Sequence, residues 1–100
     1  MAYIPINDEA ETLAVSTTAV GWASAPARAV KARVQVQDAN IRVYVDGSTP
    51  TSTAGYVFYA GQWFELFGPE IDKFRAIRDD STDAACAVTF YSGEPNAYDN

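Results

Sequence analysis

One hundred residues, 48% of them hydrophobic and 20% charged, suit a single globular domain with one core and are too apolar for a disordered chain. The formal net charge of −6 repels phosphate backbones and argues against nucleic-acid binding. There is no histidine and one cysteine, Cys86; the first fact removes His-based triads, His general bases and the usual zinc sets, and the second removes any intrachain disulfide.

The first residues, Met1 to Glu11, are polar and irregular, and Pro5 lacks a backbone donor, so they read as an extended N-terminal arm able to drape over a neighbour. Early acids with no basic stretch before an apolar run argue against a signal peptide, and no segment approaches transmembrane length, so no membrane partner is expected. Thr12 to Val15 is a candidate first strand, and Ala19 to Ser24, with Trp22, a weak second one broken by Ala25-Pro26. Apolar spacings of three and four are missing, and Val, Thr, Tyr and Phe dominate the regular segments, which predicts strands rather than a long helix.

Val30 to Gln37 alternates, with Val30, Ala32, Val34 and Val36 on one face and Lys31, Arg33, Gln35 and Gln37 on the other. Ile41 to Asp46 alternates likewise, with Ile41, Val43 and Val45 against Arg42, Tyr44 and Asp46. Both patterns are those of half-buried strands. As a hairpin they need an even loop, and Gln37-Asp38-Ala39-Asn40 would set Val36 opposite Ile41 and Val34 opposite Val43. Asp46 to Gly55 is turn chemistry followed by a hydroxyl-rich loop exposing Thr49, Thr51, Ser52 and Thr53.

Gly55 to Gly68 holds two short apolar runs joined by Gly61-Gln62, which predicts a tight hairpin with a type II′ turn. In that register Tyr56, Phe58, Trp63 and Phe67 share one face, and Val57, Tyr59, Phe64 and Leu66 the other. Both faces are apolar, so such a ribbon has to be covered twice. Left bare, the first face would present roughly 600–1,000 Å² at about 150–250 Å² per ring, above the roughly 300–600 Å² of the largest patch on most monomers. Either the domain's own core or another subunit would cover it. Lys73 to Arg78 is predicted as a strand, Asp79 to Thr82 as a turn, and Asp83 to Tyr91 as a final strand in which Ala85, Ala87, Thr89 and Tyr91 alternate against Cys86, Val88 and Phe90. Cys86 sits among small apolar residues, as a buried hydrophobe would, and fits a reducing compartment. The expected architecture is all-β: a small antiparallel β-sandwich or jelly-roll-like barrel over residues 12–91, with the arm at 1–11 and a polar tail at 92–100.

Candidate chemistry is sparse. Asp79, Asp80 and Asp83 could offer oxygens to calcium but lack the spacing and glycine of an EF-hand loop, and a polar turn is the favoured reading. The glycines stand apart at strand ends and cannot cradle phosphate. No catalytic residue, cofactor or metal site is expected. Trp and Tyr can stack on sugars, but no open polar groove is evident. The charges are uneven: residues 1–27 carry Asp8, Glu9 and Glu11, residues 79–100 carry five acids, and all the basic groups lie from Arg28 to Arg78. The acidic ends are either solvated or oriented toward a basic neighbour.

Arg42-Val-Tyr-Val-Asp46-Gly47-Ser-Thr-Pro50-Thr51, Gly55-Tyr56, Ala60-Gly61-Gln62, Phe74-Arg-Ala-Ile-Arg78 and Ala87-Val-Thr-Phe-Tyr91 together resemble a group of small all-β structural virion proteins of tailed bacteriophages. The likeness spans about Val30 to Ser92 and consists of turn and strand signatures. It implies a capsid cement or decoration protein located in the virion and assembled in the host cytoplasm. The implied partners are further copies of itself, as a homo-oligomer, and other virion proteins such as the major capsid protein. Alternatives are a neck or tail component and a tail-tip sugar- or receptor-binding module. The interface candidates are Tyr56, Phe58, Trp63 and Phe67 in the aromatic stretch, with Trp22, Tyr3 and Ile4 from the N-terminal part.

Overall fold

The computed structural model describes residues 3–6, 10–23 and 25–93. Eight strands and one helical turn follow in order: β1 (Tyr3–Pro5), β2 (Glu11–Val15), β3 (Ala29–Gln37), β4 (Ile41–Tyr44), β5 (Tyr56–Phe58), β6 (Trp63–Phe67), α1 (Glu70–Lys73), β7 (Arg75–Arg78) and β8 (Ala84–Gly93). They form two antiparallel sheets packed as a β-sandwich. The larger sheet runs β1-β8-β3-β6, with β2 alongside β1 on the same flank of β8, and the smaller runs β5-β4-β7. The all-β expectation holds.

The interior is built from the apolar halves of the alternating strands. Ala32, Val34 and Val36 of β3, Cys86, Val88 and Phe90 of β8, and Leu66 of β6 face Ile41 and Val43 of β4 and Ala76 of β7, all of them buried. Phe74, just after α1, is fully buried and ties the layers together: Trp22 stacks on it at 4.8 Å and Phe64 at 5.8 Å. Burial pushes the Cys86 thiol up to about 12, which leaves it inert near neutrality. Val30, expected on the inner face of β3, is exposed, because the register with β8 slips between Ala29 and Lys31. A bulge of this kind turns one side chain out of sequence.

Neither expected hairpin forms. β3 pairs with β6 and β8, while β4 pairs with β5 and β7, so Gln37 to Asn40 carries the chain from one sheet to the other. Asp38 takes a left-handed φ of 75° in that crossing. Val36 and Ile41 still share the interior, but across the sandwich rather than along a ladder. The same happens at the aromatic stretch: β5 belongs to the smaller sheet and β6 to the larger. The turn between them closes with Gln62 N donating to Tyr59 O at 3.0 Å. Gly61, with φ of 92°, is its third residue and Ala60, without a positive φ, its second. That is the type II pattern rather than II′, and type II turns splay strands instead of pairing them.

Smaller departures have local causes. Ala19 to Ala23 is not a strand; Val20 makes a single reciprocal bridge with Ala76, at 2.9 and 2.8 Å. Ser24 lies outside the described residues. The predicted strand from Lys73 begins only at Arg75, since Pro69 opens a helical turn that buries Ile71. Part of the expected arm is an edge strand of the domain itself: Tyr3, Ile4 and Pro5 pair with Gly93, Ser92 and Tyr91, and Ile6 enters the core. Of the expected polar tail, Ser92 and Gly93 belong to β8 and the rest lies outside the described residues.

Candidate interaction surface

The outer face of the larger sheet gathers the most unusual side chains. In β3, Lys31 and Arg33 point outward because Ala32 and Val34 point in; in β6, Trp63, Glu65 and Phe67 do so because Phe64 and Leu66 point in. Strand pairing sets them in rungs, Tyr91–Lys31–Phe67, then Thr89–Arg33–Glu65, then Ala87–Gln35–Trp63. Tyr3 reaches over from β1 to within 6.3 Å of Phe67. The exposure is large: 54% for Trp63, 44% for Phe67 and 41% for Tyr3.

Cations hold these rings in place. Lys31 Nζ lies 4.9 Å from the Tyr3 ring, 5.1 Å from Tyr91 and 6.0 Å from Phe67, and 3.2 Å from Glu65 Oε2. The three rings thus surround an ammonium from the same chain, and the cage is already filled. Arg33 lays its guanidinium 4.5 Å over Trp63. Each such contact at an exposed site is worth about 0.5–1 kcal/mol and offsets part of the cost of leaving a ring in water. A groove of about 260 Å³ runs between Trp63 and Arg33 on one side and Thr12 on the other, floored by Ala87 and Thr89.

The outer face of the smaller sheet is partly covered instead. The loop from residue 45 to 55 folds over it, with Pro50 fully buried and Thr51 bridged to Ala54. Beneath the loop Arg42 donates to Asp79 Oδ1 at 2.7 Å and to Gly55 O at 3.3 Å. Asp46 accepts from Ser48 N at 2.9 Å, which holds its carboxyl below the usual carboxylate range. At the loop margin a groove of about 550 Å³ is lined by Thr17, Thr18, Thr49, Thr51, Ile77 and Arg78. The three acids of the 79–83 turn are engaged separately. Asp79 meets Arg42, Asp80 accepts from Thr82 N at 3.0 Å, and Asp83 accepts from Ser16 Oγ at 2.9 Å and Arg78 at 2.6 Å. Ser16 first and Arg78 second hold the Asp83 carboxyl below its ordinary value.

The seven interface candidates therefore separate. Trp63, Phe67 and Tyr3 share the exposed face of the larger sheet. Tyr56 is 68% exposed but belongs to the smaller sheet, where it meets Tyr44 edge-on at 6.0 Å. Phe58 turns inward and stacks on Phe64 at 4.4 Å, and Trp22 packs against the core between Phe74 and Phe90, so both are partly buried and stand apart from that face. Ile4 is half-buried in β1. Lys31, Arg33 and Tyr91 were not among the candidates, although the alternation of β3 and β8 already placed them opposite the core face. Comparisons with protein-family models, curated proteins and solved structures find no match to this chain.

Proposed function

We propose that this chain is a structural virion protein, a cement or decoration subunit that stabilises a bacteriophage head by docking the outer face of its larger sheet on neighbouring shell proteins. The observation that carries the reading is that Tyr3, Trp63 and Phe67 lie exposed along one face of a sheet whose other side is the domain core. Rings fixed on a rigid ladder lose little freedom on docking, and Trp, Tyr and Arg are the side chains that most often anchor protein interfaces. Resemblance to small phage virion proteins supplies the setting. The test is cosedimentation of the purified protein with phage heads assembled without it. Saturable binding is expected, and absence of binding by the folded protein would overturn the proposal.

A second reading, a tail-tip sugar- or receptor-binding module, draws support from the groove beside Trp63, where the Thr12 and Thr89 side chains stand next to an exposed indole. Titration with glycans would then change Trp63 fluorescence. An unchanged spectrum across a glycan panel would remove this alternative.

A further inference from the structure

We infer that two copies of this chain join through their β6 edges into one continuous sheet, antiparallel about a two-fold axis at Phe64. This deepens the structural reading, on which it rests for its setting, by naming a second copy as one partner. Gly68 N donates to Val30 O and Val36 N to Gln62 O, both at 2.9 Å. The even-numbered backbone groups of β6 are therefore turned toward β3 and the odd-numbered ones away. Phe67 agrees, since its N–H is met on the far side by Glu70 Oε1 at 2.9 Å. The N–H and C=O groups of Trp63 and Glu65 have no partner among the described residues.

Such an edge templates another strand unless something blocks it. The other edges differ. Pro5 removes an outward donor from β1, Val20 and Ser16 occupy the edge of β7, and β5 has three residues. β2 presents Thr12 and Ala14, which bring neither ring nor charge.

Only one two-fold register suits β6. Pairing Glu65 with Glu65 of the partner subunit opposes like charges and calls on Phe67 N–H, already bound to Glu70. Pairing Trp63 with Trp63 of the partner subunit calls on Gly61 N–H, already bound to Val36 O at 2.7 Å. Pairing Trp63 with Glu65 of the partner subunit uses the free groups reciprocally on both chains. It also brings Arg33, which lies over Trp63, toward the partner's Glu65, a match of opposite charge across the seam. The exposed aromatic faces then lie side by side on one broad surface.

Sedimentation of the intact protein across micromolar concentrations, with residue-resolved amide hydrogen exchange, tests the pairing. A monomer–dimer equilibrium is expected, with the Trp63 and Glu65 amides slowing together as the dimer fills while those of Thr12 and Ala14 do not change. Glu65→Pro removes an outward N–H from each chain and no bond to β3, so it is expected to weaken the dimer at least about tenfold relative to Glu65→Ala. Thermal unfolding checks that both variants fold; should Glu65→Pro fail to fold, exchange in the unaltered chain still decides. A monomer throughout, a dimer without protection at these amides, or a head-to-tail series beyond dimers would overturn the inference. Cosedimentation with heads is a separate measurement, so failure of self-pairing and failure of shell docking are told apart.

Discussion

The larger sheet and the smaller sheet line the same interior, yet their outer faces are finished in opposite ways. Over the smaller one, the loop from residue 45 to 55 buries Pro50 and closes on the Arg42–Asp79 ion pair. Over the larger one no loop lies among the described residues, and Trp63, Phe67 and Tyr3 are exposed beside Arg33 and Lys31. The contrast is one of finish: one side is covered by a loop of its own chain, and the other leaves its rings exposed beside the cations of the same sheet.

The largest test removes what both faces depend on. Phe74→Ala takes a fully buried ring from between Trp22 and Phe64 and should cost about 3–5 kcal/mol in urea unfolding. A loss below about 1 kcal/mol would mean that the layers do not share this anchor. Next, Gly55→Ala attacks the covered side alone. Gly55 has φ of 131°, and an added Cβ would lie 3.1 Å from Arg42 Cβ and 3.2 Å from Val43 O. A loss of about 1–3 kcal/mol is expected, with faster amide exchange in the loop. The smallest stability effect belongs to the bare side: Trp63→Ser alone gives up one cation–ring contact and should stay within about 1 kcal/mol of the parent in thermal unfolding, while the proposed head binding weakens. Equal losses from the last two variants would erase the distinction between the faces.

Much of this architecture is legible in the residue order. The alternation in 30–37, 41–45 and 83–91 marks the inner faces of β3, β4 and β8 at every position but Val30, which the bulge turns outward. Alternation says which side chains go inward and nothing about which strand lies alongside, and both hairpin expectations failed for that reason. The candidate surface was legible in part: Trp63 and Phe67 stand out as one wall of a hairpin and Tyr3 as part of an N-terminal arm, but their cationic partners were missed because cation–ring contacts cross strands that are far apart in sequence.

Composition and local pattern by themselves determined an all-β domain, the faces of its long strands and the placement of its turns, because these depend on side-chain period and on backbone preferences of single residues. Tertiary structure decided the rest. Gly61 at the third position of its turn sends β5 and β6 to different sheets, so Phe58 packs against the core while Trp63 and Phe67 stay on the surface. That choice depends on packing between segments distant in the chain, which no local period encodes.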